Sequence, residues 1–154
     1  RDVLCDDTVV LDQRSMRIRP VAPHLCLKSG AWHAIEPRIA AFPDGPALRR
    51  PDGALVRYLA LDRRSGRDGR ARSRGYAVRS IVFPRYRPGG AANLVPIGAA
   101  AALQRLACCI DPLGHPLSST DIERLIRWVG GLDCYTLTHD SLDDAVTALG
   151  GLLQ

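Results

Sequence analysis

The sequence predicts an α/β fold: a mixed sheet with its helices concentrated in the carboxyl-terminal half. Three observations predict it. Short Val-, Ile- and Leu-rich runs bounded by Pro, Gly and Asp dominate residues 3–83. From residue 98 onward, apolar residues recur instead at the three- and four-residue spacing of helices. The length, 154 residues with 46% hydrophobic and 24% charged, suits one ordinary globular domain spanning 1–154.

The elements follow in order. Residues 3–12 (VLCDDTVVLD) read as two short strands meeting at an acidic pair, and residues 16–19 as another after a turn. Pro20 and Pro23 break the pattern before the apolar run HLCLK at 24–28. Residues 31–40 suit a short helix with Trp32, Ile35 and Ile39 on one side. The turn signal Pro51-Asp52-Gly53 places 54–61 in a strand. Residues 77–83 (AVRSIVF) give the clearest buried strand, ended by Pro84, and Pro88-Gly89-Gly90 marks a loop. Residues 98–110 have high helix propensity. Thr120 and Glu123 form a capping-box pattern for a helix over 120–130. Residues 134–138 alternate as a strand. Asp140 or Ser141 then caps a last helix with Leu142, Ala145, Val146, Leu149 and Leu153 on one face.

Charge is concentrated in one place. The whole chain is +5, and residues 63–74 (RRSGRDGRARSR), with six Arg and one Asp, are also +5, so the remainder sums to zero. This segment has too little apolar surface to offset its ordering entropy and reads as a mobile Arg-rich loop. It is a candidate for anion contact, but the lack of interleaved aromatics argues against nucleic acid. No run approaches the ~18 uncharged apolar residues of a membrane span, so no membrane partner is expected. The five cysteines lack C-x-x-C spacing and read as buried, reduced thiols, which points to a cytoplasmic setting. His24, His33, His115 and His139 lack the spacing of metal ligands and read as surface or core residues.

Asp6 and Asp7 are the sharpest chemical candidates. At the carboxyl end of a strand, one Asp can reach a ligand crevice while the other holds a loop. A carboxylate there suits Mg²⁺ binding through water or acceptance of a hydroxyl proton; the alternative is an acidic turn. Lys28 and Arg85 are cations suited to phosphate oxygens, with Arg87 a third. Their alternatives are a solvated lysine and structural ion pairs.

LCDDTVVLD at 4–12 resembles the acidic strand that follows the nucleotide loop in HPr serine kinase-like proteins. LKSGAW at 27–32, RYL at 57–59, IVFPRYRPG at 81–89, YTL at 135–137 and SLDDAV at 141–146 resemble one branch, the HPr kinase-related proteins. The likeness runs in consistent order from about residue 2 to 150. It implies a partial phosphoenolpyruvate-carboxykinase-like (HPr-kinase-like) sheet and a kinase that moves the ATP γ-phosphoryl to a protein or peptide serine. ATP and Mg²⁺ would be its cofactors, and Asp6 or Asp7 the proton acceptor.

The chain departs from that family in one respect. A P-loop reads G-x-x-x-x-G-K-[ST], and the only Lys, Lys28, is preceded by Leu27 where Gly is required. In the family that loop lies upstream of the acidic strand. The expectation is therefore a carboxyl-terminal portion that alone neither binds ATP tightly nor transfers phosphate. Loss of upstream strands would expose a sheet edge, so self-association is expected as well. Two other functions fit the residues: a noncatalytic protein-binding module of the same ancestry, or anion or nucleic-acid binding through residues 63–74.

Overall fold

A computed structural model of the chain describes residues 3–21, 24–39, 42, 45–60, 74–111 and 116–153. It is mixed α/β, with three small sheets and four α-helices among these residues. Contacts divide the chain into two compact units, Arg1–Ala77 and Val78–Gln154. The Arg-rich segment lies outside the described residues up to position 73, and Arg74 is exposed.

In the first unit, β1 (Val10–Asp12) and β2 (Arg17–Arg19) form an antiparallel hairpin. Asp12 builds its turn. One carboxylate oxygen accepts from the backbone N–H of Ser15 at 2.8 Å and from its hydroxyl at 2.8 Å, and the other meets Arg19 at 3.0 Å. The Ser15 N–H first, then its hydroxyl and the Arg19 guanidinium, hold the Asp12 carboxyl below the usual carboxylate range. A folded-state value below the unfolded one means stability present at neutral pH. It is lost as pH falls from about 4 through the lower folded value. The stability difference between wild type and Asp12→Asn, measured by urea unfolding, is therefore expected to be present at pH 7 and to vanish in acid.

β2 is also held by Gly75. Arg17 donates from Nε and Nη2 to the Gly75 carbonyl at 3.0 and 2.8 Å, and Ile18 bridges Tyr76. At Gly75, φ is +70°, and a Cβ would lie 3.0 Å from the Ile18 carbonyl oxygen, so this approach requires glycine.

The second sheet is antiparallel, in the order β3 (His24–Lys28), β5 (Leu55–Ala60), β4 (Leu48–Arg49). Leu27 and Val56 form its buried centre. Helix α1 (Ser29–Ile35) starts directly after β3 and passes into a 3-10 turn at Glu36–Arg38, which contains Pro37. The longer helix expected to residue 40 ends early because proline removes an amide donor. Trp32 ties α1 to β3, its indole N–H donating to the Leu27 carbonyl at 2.8 Å. The Arg57 guanidinium lies 4.5 Å from the Trp32 ring centroid.

In the second unit, β8 (Asp133–His139) is central, parallel to β6 (Ser80–Tyr86) and antiparallel to β7 (Asn93–Pro96). β6 does not stop at Pro84 as expected: it continues to Tyr86, because a strand at a sheet edge tolerates proline. Helices α2 (Ala99–Ala107) and α3 (Ser119–Gly130) bring Ala102 and Val129 against Cys134, Ile81 and Phe83 on one face. On the other face Leu137 is buried, and α4 (Leu142–Gly150), which packs on β8 and β7, buries Ala145. Val146, expected in that core, is 66% exposed.

The α3 capping box is formed by Ser118 and Asp121 rather than Thr120 and Glu123, with the Ser118 hydroxyl 2.6 Å from the Asp121 carboxylate. Ser118→Ala is expected to cost about 1 kcal/mol in urea unfolding. Cys108 and Cys109, expected to be buried, lie beyond the end of α2 and are exposed. All five cysteines are free, and Cys134 alone is buried. No helix among the described residues is long and apolar enough to cross a membrane.

Candidate functional site

The acidic pair sits in a bend, not at the end of a strand as the sequence suggested. Residues 3–9 join no sheet among the described residues, and a side chain takes the place of strand pairing. The Asp6 carboxylate accepts from the Cys26 backbone N–H at 2.6 Å. β3 borders its sheet, and Cys26 pairs with Tyr58 on the opposite side, so Asp6 satisfies an amide that the ladder leaves outside.

Asp7 is exposed, its carboxylate 3.8 Å from the Arg50 guanidinium, longer than a hydrogen bond. Arg50 also faces Asp52 at 3.6 Å. The Asp52 charge first, then a hydrogen bond with the Cys26 side chain and the charge of Asp7, raise the Arg50 pKa and keep it cationic. Asp6, Asp7, Cys26, Arg50 and Asp52 thus form one connected cluster, in which Asp6 secures the segment and Asp7 remains open to solvent. The sequence reading missed Arg50, which had no signal beyond a neighbouring turn.

Lys28 ends β3 and precedes the first residue of α1, with its side chain exposed. The hydrogen bond from Cys26 to Asp6 therefore joins the acidic segment to the strand that ends in Lys28. The donor set here also bears on Mg²⁺. Among the described residues no three His, Cys, Asp or Glu side chains come together as metal ligands. One oxygen of Asp6 is committed to an amide, and Asp7 faces a cation. The described residues therefore make no all-protein cage for Mg²⁺.

Arg85 and Arg87 belong to the second unit, at the carboxyl end of β6, and both are exposed. Arg85 is in register with Thr138 of β8, and Thr138 with Asn93 of β7. Paired residues share a face, so these three form a row across the sheet. One row deeper, Arg105 of α2 donates to the Thr136 hydroxyl at 2.6 Å and stacks over Phe83 at 5.3 Å. The chain turns at Pro88-Gly89, where Gly89 has φ +69° and the Gly90 N–H donates to the Arg87 carbonyl at 3.1 Å. A groove of about 380 Å³ opens there, lined by Arg87 through Ala91, Asn93 and Thr138. Asn93 and Thr138 were missed because only strand register brings them together, and Arg105 because only the packing of α2 on the sheet places it beside Thr136.

No protein-family model, no curated protein and no solved structure matches the chain.

Proposed function

We propose that the chain is the carboxyl-terminal catalytic-domain portion of an HPr kinase-related serine kinase, which transfers the γ-phosphoryl of ATP to a serine of a protein or peptide. The hydrogen bond from the Cys26 amide to Asp6 carries this reading. It joins Asp6 of LCDDTVVLD to Cys26, 20 residues on and immediately before LKSGAW, and the two runs taken in order resemble that family. A shared reaction gives a reason for their being joined.

In this reading Asp6 is a positioning residue and Asp7 takes the serine hydroxyl proton, since its carboxylate is exposed and unengaged by any hydrogen bond among the described residues. Arg50 orients Asp7, and Lys28 supplies positive charge at the start of α1. When bound, Mg²⁺ with ATP neutralises phosphate charge, and Asp6 and Asp7 are the residues that would hold it. Because no P-loop occurs in these residues, tight ATP binding by this chain alone is not expected.

The test is expression of the complete reading frame that encodes this chain, incubation with γ-labelled ATP and protein extract, and phosphoamino-acid analysis. Labelled phosphoserine that disappears with Asp7→Asn supports the reading. Absence of phosphoserine overturns it and leaves a noncatalytic binding module, and full labelling by both Asp7→Asn and Asp6→Asn removes the acidic pair from the reaction.

A further inference from the structure

We propose that the groove over the end of β8 binds a phosphomonoester dianion. This inference needs neither ATP nor a serine acceptor, and it stands on the second unit alone. Topology comes first. β6 and β8 are parallel, and ligands of α/β sheets settle beyond the carboxyl ends of parallel strands, where the connecting loops diverge. Here β6 and β7 flank β8 on opposite sides, so residues 87–92 must carry the chain across the carboxyl end of β8. The groove lies under that crossing.

Its chemistry is one-sided. The lining residues supply a guanidinium from Arg87, an amide from Asn93 and a hydroxyl from Thr138, and they include no carboxylate. Arg87 has no ion pair or side-chain hydrogen bond among the described residues, so its planar fork is available for two parallel bonds to an oxyanion. Arg85, in register with Thr138, adds a second positive charge at the same edge.

Donors from three separate segments suit a ligand with three acceptor oxygens better than a carboxylate with two. A Cβ built at Gly89 meets nothing within 4 Å, so the turn leaves open space for approach to its backbone. The volume, about 380 Å³, is at the small end of the range for ligand sites and fits a phosphate with a short substituent.

The test is calorimetric titration of the chain at low salt with inorganic phosphate, O-phosphoserine and ADP, with serine and acetate as controls. Amide NMR shifts then locate the site. The expected result is saturable binding of the phosphate compounds alone, with shifts at Gly89, Gly90 and Thr138. Arg87→Ala should weaken binding about tenfold or more, and Arg87→Lys by less. Arg127→Ala, an exposed arginine of α3, should leave binding unchanged.

The tightest of the three ligands identifies the source of the group as free phosphate, a modified side chain or a nucleotide, and each supports the site. Equal affinity in Arg87→Ala, equal loss in Arg127→Ala, shifts confined to other residues, or no saturable binding at millimolar ligand overturns it. None of these readouts involves phosphoryl transfer, so failure of the kinase reading leaves this result standing, and the reverse holds too.

Discussion

In the proposed serine kinase, Asp7→Asn is expected to lower serine phosphorylation by the complete gene product about 10²–10⁴-fold, the range for loss of a general base, while leaving the fold intact. Asp7 is exposed, and Arg50 retains Asp52 as a partner, so removing the charge leaves no group buried and unpaired. The neighbouring acid should behave differently. Asp6→Asn keeps an oxygen that can accept from the Cys26 amide, so activity should fall less than in Asp7→Asn. Asp6→Ala removes the acceptor, frees the outward amide of β3, and should lower stability and activity together. Steady-state rates with circular dichroism and urea melts on the three variants check this ordering. Full activity in Asp7→Asn with loss in Asp6→Asn would exchange the two roles.

Leu137→Ala is expected to cost about 2–5 kcal/mol of stability, the largest single effect in the second unit. Leu137 is 2% exposed on the central strand, in register with Pro84 and Leu94, on the face where α4 buries Ala145. Removal of its side chain leaves a cavity between two flanking strands that are fixed by their ladders to β8. Val146→Ala on α4 is the control. At 66% exposed, it should change stability by no more than about 0.5 kcal/mol in the same urea melts. A cost for Leu137→Ala no greater than that of the control would remove Leu137 from the core.

The parts of the fold legible in the sequence are those fixed by local spacing. The apolar spacing of Ile122, Leu125, Ile126 and Val129 predicts the helix α3, of which Val129 is buried and Ile122 and Ile126 are exposed, and the alternation after Cys134 predicts β8. The α3 cap was ambiguous because the run SSTDIE contains two overlapping boxes, and the structure uses the first. Nonlocal pairing was not legible. No periodicity tells that β8 lies between β6 and β7, and only that order places Asn93 and Thr138 beside Arg85. The acidic segment was misread as strand for the same reason. Its bond runs from a side chain to a distant amide, and Val and Leu content alone does not supply a partner strand. Two-residue β4 was too short to detect.

Prolines stand on both borders of the three-stranded β6-β8-β7 sheet: Pro84 within β6 and Pro96 at the end of β7. A foreign strand approaching on either flank encounters a residue with no amide hydrogen and a ring that disrupts a continuous ladder. The two prolines therefore guard both borders of this sheet against amyloid-like extension.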